Sequence, residues 1–270
     1  MLPYLRLGPF LLQTAGLALI LGVWAGSWLA EKEAVRAKIK PDLVYNLIFF
    51  GLVAGLVGAR LGLDTANRFQ RYPDLAYAAR FLNVYLENPL SLLSINPNTL
   101  SAGEGLLIGL LAAFVYSQRK GLPLRPALDA LAPGLAAFMV LLGAAHLLSG
   151  DAYGAATNAL PWRIYLWSEY RHPSQIYEIL AALGVLLIVL KRPLGDPGRG
   201  LNFLLVVGLS AGARVFLEAF RGDSLIWAGG FRAVQVAGLA GSLWLMRSWA
   251  RPQTKALEPG MEQNAEEVAQ

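Results

Sequence analysis

A stretch of eight residues, 171–178, places a cation, an imidazole, an amide, a phenol and a carboxylate directly before an uncharged run, 179–190. Such a run belongs in lipid or in a buried core, where polar side chains are costly unless they find partners or water. Pro173 lacks an N–H and biases the residue before it away from helix, so we expect a helix to begin at or just after it. The pattern is typical either of a polar functional site at the boundary of an apolar region or of an ordinary helix start with capping residues. The polar residues of this stretch are Arg171, His172, Ser174, Gln175, Tyr177 and Glu178.

Composition indicates a membrane protein. Of 270 residues, 56% are hydrophobic and 15% are charged, and the mean hydropathy is +0.47, which is too apolar for a soluble domain of this size. The net charge of +5 is better explained by cytoplasmic loops and anionic lipid headgroups than by nucleic acid, and we expect no nucleic-acid partner. The sequence has no cysteine, and its two histidines, His146 and His172, lack the spacing of a metal motif. We therefore expect neither a metal site nor a cofactor.

Seven apolar runs predict an all-α, polytopic membrane protein with a single seven-helix domain over residues 1–250. The first run is longer than the apolar core of a signal peptide, so we interpret it as a retained helix. The domain includes a polar excursion at 64–100, and the polar tail, 251–270, is expected to be disordered. The predicted spans are about 8–30, 43–63, 102–118, 128–149, 174–190, 200–220 and 229–247.

Compact groups of Lys and Arg in alternate connections indicate the orientation of the spans. With seven spans all of these groups fall on one side, and such groups remain in the cytoplasm. The N-terminus is therefore predicted outside the membrane and the C-terminus in the cytoplasm. The groups are Lys32, Arg36, Lys38 and Lys40; Arg119, Lys120 and Arg125; Lys191, Arg192 and Arg199; and Arg247, Arg251 and Lys255.

On this topology, ionisable residues of six elements converge at the outer ends of the spans. A charge within hydrocarbon costs about 2.5–3.5 kcal/mol or more, so such residues normally pair and face a polar cavity. Any one of them fits a structural ion pair, whereas their convergence predicts a functional cavity at the outer leaflet. Arginines in an apolar site suit phosphate, which a guanidinium binds through two oxygens, and a phospholipid headgroup supplies one. The converging residues are Arg60, Glu104, His146, Asp151 with Gly154, the 171–178 stretch, and Arg214, Glu218 and Arg221.

Four motifs, in order along the chain, resemble those of the prolipoprotein diacylglyceryl transferase family. The sequence Gly-Ala-Arg-Leu-Gly at 58–62 resembles the motif that ends the family's second helix. Ser-Gly-Asp-Ala-Tyr-Gly at 149–154 is similar to its Asn-Gly-Glu-x-x-Gly signature. The 171–178 stretch is similar to the motif before the fifth helix, and Arg-Val-Phe-Leu-Glu-Ala-Phe-Arg at 214–221 to that of the sixth. The resemblance covers roughly residues 8–250.

The resemblance implies a reaction and a place in the cell. The family transfers an sn-1,2-diacylglyceryl group from phosphatidylglycerol to the lipobox cysteine of preprolipoproteins. A thioether forms and glycerol 1-phosphate leaves. The expected partners are phosphatidylglycerol, lipobox-containing preprolipoproteins and membrane lipids. The expected location is the bacterial plasma (inner) membrane, with the site facing the outer leaflet and no cofactor.

The resemblance also implies roles for the converging residues. Arg214 matches an essential arginine of the family and is expected to bind the phosphate, with Arg60 and Arg171 as further clamps. Gln175, Tyr177 and Glu178 are expected to hydrogen-bond these arginines or the glycerol. Glu178 and Glu218 fit better as counter-ions to Arg171, Arg214 or Arg221 than as catalytic groups.

Several polar positions of the family pattern are changed. The family's catalytic histidine falls on Glu104, the leading arginine of its signature on Gly143, and the asparagine on His146. Glu104 and His146 are predicted at the outer ends of adjacent antiparallel spans, where a carboxylate can orient an imidazole. One hypothesis is that His146, assisted by Glu104, takes the proton of the cysteine thiol. The alternative is that the two residues only neutralise each other.

Two other functions stay open at this point. A catalytically silent relative would bind phospholipid or lipoprotein signal segments as a scaffold, and the glycine at position 143 favours this interpretation. A small-solute transporter is disfavoured, because the sequence has no internal repeat and its polar cluster lies toward the outer leaflet rather than the midplane.

Overall fold

Six α-helices form the part of the chain that the computed structural model describes, namely residues 4–7, 10–61, 102–192, 195, 198–222 and the single positions 236, 240, 243 and 247. Their apolar composition and length confirm a mostly helical membrane protein. The predicted excursion, 64–100, and the tail, 251–270, lie outside the described residues, as does nearly all of the predicted seventh span. The helices are α1 (Thr14–Arg36), α2 (Pro41–Leu61), α3 (Ala102–Arg119), α4 (Leu124–Ser149), α5 (Ser174–Leu190) and α6 (Leu201–Leu217), which runs into a 3-10 turn, Glu218–Phe220.

Within the described residues, four helical segments are long and apolar enough to cross a membrane. Ser174–Leu190 is a shorter apolar helix that begins where Pro173 predicts. Predicted spans two to six agree with the observed helices to within a few residues. The first helix begins later than predicted, and the seventh span stays a prediction. The four long segments are Thr14–Arg36, Pro41–Ala59, Leu124–Ser149 and Leu201–Phe220.

Two antiparallel hairpins accompany the helices within the described residues. Strands β1 (Tyr4–Leu7) and β2 (Phe10–Gln13) pair, so α1 begins at Thr14 and not near residue 8. A short apolar run fits a strand as well as a helix, and the Gly-Pro pair at 8–9 divides this run in two. Strands β3 (Ile164–Leu166) and β4 (Glu169–Arg171) form the second hairpin. Both residues that join them have positive φ, as the commonest two-residue hairpin turn requires.

Helix α4 packs against α1, α5 and α6. Small residues allow the closest of these contacts: a Cβ on Gly26 of α1 would lie 2.8 Å from the carbonyl oxygen of Gly134 in α4. Helices in lipid associate through such close backbone approach, since apolar side chains gain little by leaving apolar lipid. Each described helix is antiparallel to the one before it in the chain. The ends of α2, α4 and α6 therefore lie at the same end of the bundle as the starts of α1, α3 and α5.

The opposite end of the bundle carries the basic connections. Glu33 near the end of α1 pairs with Arg192 after α5 at 2.8 Å, and it also contacts Arg36. Ile39 and Leu122, from two further connections, are buried in one core cluster. Three of the four predicted Lys/Arg groups therefore share one end of the molecule, and the fourth, 247–255, lies almost wholly outside the described residues.

Asp129 of α4 fixes the start of α6 at this end. Its side chain is buried, and its two oxygens accept hydrogen bonds from the backbone N–H groups of Gly198, Gly200 and Phe203 at 2.8–3.1 Å. The first N–H groups of a helix have no partner within the helix, so a carboxylate at this point satisfies them and favours the positive end of the helix dipole. This contact sets the position of α6 against α4.

Candidate active site

Three ionisable side chains meet between α4, α5 and α6. Nδ1 of His146 lies 2.8 Å from Oε2 of Glu178, and a guanidinium nitrogen of Arg214 lies 3.4 Å from the other carboxylate oxygen. The side chain of Glu178 is 15% exposed, that of His146 23% and that of Arg214 38%. The carboxylate thus joins a neutral or protonated imidazole to a cation whose head remains accessible.

The helices bring these groups together because position 143 is a glycine. A Cβ on Gly143 would lie 2.9 Å from Cγ1 of Ile179, 3.2 Å from the backbone nitrogen of Ile179 and 3.5 Å from Cγ of Glu178. Contacts this close show that α4 and α5 touch through backbone at this level. His146, less than one turn farther along α4, then reaches the carboxylate across the interface. The glycine that departs from the family pattern therefore shapes the site.

A cavity of about 70 Å³ adjoins Glu178 and Arg214. Apart from these two residues and Ser210, its walls are apolar, and Ser210 itself contacts the sulfur of Met139 at 3.5 Å. Glu178 and Arg214 therefore adjoin mostly apolar surroundings, where electrostatic interactions are stronger than in solution. The remaining wall residues are Leu142, Ala181, Ala182, Val185, Ala213 and Leu217.

The loop after α4 lies between the end of β4 and the turn after α6. Gly154 is bridged to Arg221, while the N–H of Ala155 donates to the carbonyl of Phe220 at 2.8 Å. On the other side, the N–H of His172 donates to the carbonyl of Ala155 at 3.0 Å. A Cβ on Gly154 would lie only 2.1 Å from the carbonyl oxygen of His172, so this position accepts no side chain. Gly154, a predicted site residue, is thus required for the packing of this loop against the start of the 171–178 stretch.

Arg171 holds this loop and does not reach Glu178. Its guanidinium donates to the carbonyls of Leu166 and Gly154 at 3.1 and 3.2 Å and pairs with Glu169 at 2.6 Å. It also lies over the ring of Tyr153. The role of Arg171 as a further phosphate clamp stays a prediction, and its three guanidinium nitrogens already have partners in the β3–β4 hairpin and at Gly154.

The polar residues after Pro173 also contact the loop rather than the arginines. The hydroxyl of Ser174 donates to the carbonyl of Ala152, and the fully buried amide of Gln175 donates to the carbonyl of Asp151. The hydroxyl of Tyr177 accepts a hydrogen bond of 2.8 Å from the indole N–H of a tryptophan, Trp162. Asp151 itself is exposed, and its side chain is not part of these contacts. Of Gln175, Tyr177 and Glu178, only Glu178 contacts an arginine within the described residues.

Two further predicted site residues, Glu218 and Arg221, form an ion pair beside the loop. Glu218 is almost fully buried, and its carboxylate lies 4.0 Å from Nε of Arg221. The pair ties the 3-10 turn to the strand-like segment at 221–222. The arrangement fits the counter-ion interpretation for both glutamates, because Glu178 pairs with Arg214.

Glu104 and Arg60 lie at the same end of the bundle but on other helices. Glu104 is in the first turn of α3, whose main packing partner is α2. The carboxylate that hydrogen-bonds His146 comes from α5, and the predicted pairing of His146 with Glu104 stays a prediction. Arg60 ends α2, and its side chain lies outside the described part of the structure.

A separate apolar cleft of about 430 Å³ opens between α5 and α6. It shares the wall residues Ala181, Ala213 and Leu217 with the small cavity next to Glu178. His172 lines its mouth, with its ring 5.3 Å from that of Phe220 and with a buried Nδ1 that has no hydrogen-bond partner among the described residues. The other lining residues are Leu160, Trp162, Tyr177, Leu180 and Phe216.

Sequence reasoning missed two contributors to this region. Trp162 was not among the predicted site residues, although the N–H of a buried or interfacial indole usually finds a hydrogen-bond partner. Gly143 was read as a loss from the family pattern. The available signal was the small-residue spacing of α4, since a glycine one turn from a polar residue often marks close helix contact.

Comparison with known proteins now places the chain. The family model described as prolipoprotein diacylglyceryl transferase matches residues 3–249. Among curated relatives, a phosphatidylglycerol–prolipoprotein diacylglyceryl transferase of Clostridioides difficile is 27% identical over 84% of this chain and 85% of its own length. That of Gloeobacter violaceus is 28% identical over 91% and 93%, and that of Streptomyces coelicolor, numbered 1, is 27% identical over 96% and 76%. The chain belongs to the prolipoprotein diacylglyceryl transferase family.

Proposed function

We propose that this protein transfers an sn-1,2-diacylglyceryl group from phosphatidylglycerol to the lipobox cysteine of preprolipoproteins. The sulfur attacks the glycerol carbon that carries the phosphate ester. The carbon–oxygen bond breaks as the thioether forms, and its electron pair leaves with glycerol 1-phosphate. The observation that supports this proposal is the joined arrangement of His146, Glu178 and Arg214 beside a small, mostly apolar cavity.

His146 is the base in this proposal. Its Nδ1 faces the carboxylate of Glu178 at 2.8 Å, so Nδ1 carries the proton and Nε2 keeps a lone pair. That lone pair takes the thiol proton, and the carboxylate stabilises the imidazolium that results. Glu178 therefore acts as the positioning residue that the sequence had assigned to Glu104. Glu104, which falls where the family has its catalytic histidine, stays a predicted catalytic contributor.

Arg214 binds the phosphate. One guanidinium nitrogen contacts Glu178, and within the described residues the others have no hydrogen-bond partner. A guanidinium keeps its charge and offers parallel N–H donors, which suits two phosphate oxygens and the charge that develops on the leaving group. Arg60, at the end of α2, is proposed as a second clamp.

The apolar cleft gives the lipid an approach from the membrane. It shares a wall with the cavity beside Glu178, so an acyl chain in the cleft places its glycerol backbone near Arg214. Under the proposed orientation the site faces the outer leaflet of the plasma membrane. A secreted lipobox segment reaches it from that side.

Expression in cells depleted of their own transferase tests the proposal. Lipobox cysteines of a reporter lipoprotein are expected to carry a thioether-linked diacylglyceryl group, detected by mass spectrometry. The His146→Ala variant is expected to lose about 10²–10⁴-fold in rate, as removal of a general base does. Full modification by that variant would contradict the assignment of the base.

A second candidate function is a silent scaffold that binds phospholipid or lipoprotein signal segments. The observation that favours it is that Glu178 already contacts both His146 and Arg214, as it would in a purely structural cluster. Purified protein separates the two functions. Binding of a lipobox peptide without any thioether product in phosphatidylglycerol vesicles would support the scaffold, and product would exclude it.

A further inference from the structure

A larger groove, of about 990 Å³, lies between α2 and α3 and shares no lining residue with the site around Glu178. Most of its length is apolar, and its polar side chains are gathered at one end. We propose that this groove binds an anionic phospholipid of the cytoplasmic leaflet. Its polar end is formed by Asn46, Tyr116, Arg119 and Lys120.

The groove exists because α2 and α3 touch through glycines. A Cβ on Gly109 would lie 2.8 Å from the carbonyl oxygen of Gly51, and one on Gly55 would lie 3.1 Å from that of Gly105. Large side chains cannot enter this contact and stand on either side of it. On the groove side they stay exposed, with Leu111 at 62%. The glycine contact thus leaves a long apolar trough of the kind that an acyl chain fills.

The two cations give the groove its preference for an anion. Arg119 ends α3 and Lys120 follows it, and both are exposed. Within the described part of the chain neither has an ion-pair partner. The phenol of Tyr116 is held at this end by stacking on Phe50, with ring centroids 5.3 Å apart. A phosphate can accept from both cations while the amide of Asn46 and the phenol bind ester or glycerol oxygens.

The position of this end indicates the leaflet. Arg119 lies at the end of the bundle that carries the Glu33–Arg192 pair, opposite to His146. Under the proposed orientation that end faces the cytoplasm, where anionic lipids attract basic pockets between helices. The inference rests on this orientation and not on the proposed reaction.

A phospholipid suits the groove better than a helix from a second copy of the chain. An apolar helix would cover the trough but leave the charges of Arg119 and Lys120 unmatched at its edge. A lipid supplies both the negative charge and the flexible chains. Asp42, one turn before Asn46 on α2, does not line the groove and does not oppose an anion there.

Lipid titration of the full-length protein in neutral detergent, followed by native mass spectrometry, tests the proposal. Phosphatidylglycerol is compared with phosphatidylcholine of the same acyl chains. The double variant Arg119→Gln/Lys120→Gln is expected to bind phosphatidylglycerol at this site at least about tenfold more weakly, since each cation near an anionic lipid contributes to the attraction. Lys191→Gln/Arg199→Gln is the matched control, because it removes one Lys and one Arg from the same end but outside the groove.

The location of the lipid is tested with phosphatidylglycerol that carries a photoreactive group on an acyl chain, in phosphatidylcholine vesicles. Labelling is expected along the trough, at Ala54, Leu111 or Ala112, and is expected to fall in Ala112→Phe, which fills the groove. Arg214→Gln is expected to keep this labelling while it removes phosphatidylglycerol from the reaction site. The experiments can therefore disprove the proposed reaction without disproving this lipid site, and the reverse.

Three results would overturn the proposal. The first is that both double variants weaken phosphatidylglycerol binding equally. The second is that the protein binds phosphatidylcholine as tightly as phosphatidylglycerol. The third is that Ala112→Phe leaves the photolabelling of the groove unchanged. Dimers that dissociate in the Ala112→Phe variant, without any change in bound lipid, would instead assign the groove to a second copy of the chain.

Discussion

His146 and Glu178 are joined by a hydrogen bond of 2.8 Å between Nδ1 and Oε2, across two helices that run in opposite directions. If Glu178 is ionised, its carboxylate accepts the bond from Nδ1–H, and Nε2 then keeps a lone pair. Direct contact makes the two side chains a coupled unit, so their substitutions are not expected to be additive.

The first prediction concerns this unit. Glu178→Gln lets an amide N–H donate to Nδ1, which moves the proton to Nε2 and removes the base. We expect a loss of about 10²-fold or more in the rate of thioether formation, and the double variant His146→Ala/Glu178→Gln is expected to be no slower than His146→Ala alone. Initial rates with a lipobox peptide in phosphatidylglycerol vesicles measure both effects. Multiplicative losses would show that the residues act independently.

The second prediction concerns Arg214. Arg214→Lys keeps a cation but loses the planar pair of donors. We expect the rate to fall about 10- to 100-fold if one charge-assisted hydrogen bond to the phosphate is lost. Arg199→Lys, at the far end of the bundle, is the matched control and is expected to leave the rate unchanged. An unaffected rate in Arg214→Lys would show that the planar pair of guanidinium donors is not needed for the reaction.

The third prediction concerns Gly143. Gly143→Ala places a methyl group 2.9 Å from Ile179, so α4 and α5 must separate. We expect destabilisation of about 1–3 kcal/mol, as is usual for overpacking, together with loss of transfer. Thermal unfolding in detergent measures the first effect. Gly184→Ala is the control, because no atom lies within 4 Å of its added carbon, and its stability is expected to be unchanged or slightly higher.

The fourth prediction concerns Gly154. In Gly154→Ala the added carbon would lie 2.1 Å from a backbone oxygen, and backbone cannot move aside as a flexible side chain can. The loop after α4 is expected to detach, with faster proteolysis at 155–170 and loss of activity. Gly212→Ala, which meets open space, is expected to behave as the unaltered protein does. Normal protease resistance in Gly154→Ala would contradict the close contact.

The fifth prediction concerns Asp129. Asp129→Ala leaves three backbone N–H groups at the start of α6 without their buried acceptor. We expect a loss of stability of about 2–4 kcal/mol, since bonds to a charged group are among the stronger ones. Thermal unfolding measures it, with the exposed Asp42→Ala as control. An equal and small effect of both substitutions would show that the N–H groups find water instead.

The helices and the convergence of polar groups at one end follow from the sequence. Uncharged runs of suitable length fix where helices lie, and alternate basic connections fix which ends coincide. The β1–β2 hairpin does not follow, because an apolar run of four residues on either side of Gly-Pro is compatible with both strand and helix. Because of this hairpin, α1 begins at Thr14 and not near residue 8 as predicted.

The pairing inside the site could not be read from the chain, because it depends on helix neighbours and on rotation about each helix axis. Sequence order favoured Glu104 for His146, whereas the packing of α3 on α2 and of α5 on α4 gives Glu178. Arg171 shows the same difficulty. A cation at a polar rim suggests an anionic ligand, but three acceptors in a nearby loop already engage it.

The glycine contact between α2 and α3 has a consequence for how the family can diversify. A Cβ on Gly105 would lie 2.6 Å from Cβ of Ala59, so the end of α2 and the start of α3, which border residues 62–101, are held side by side. The bundle therefore already holds together the two points that the connecting segment joins. Each doubling of the length of that segment costs only about 0.6 kcal/mol in loop-closure entropy. Insertions, deletions or a grafted domain can be exchanged at this point, while the helices on either side keep their register.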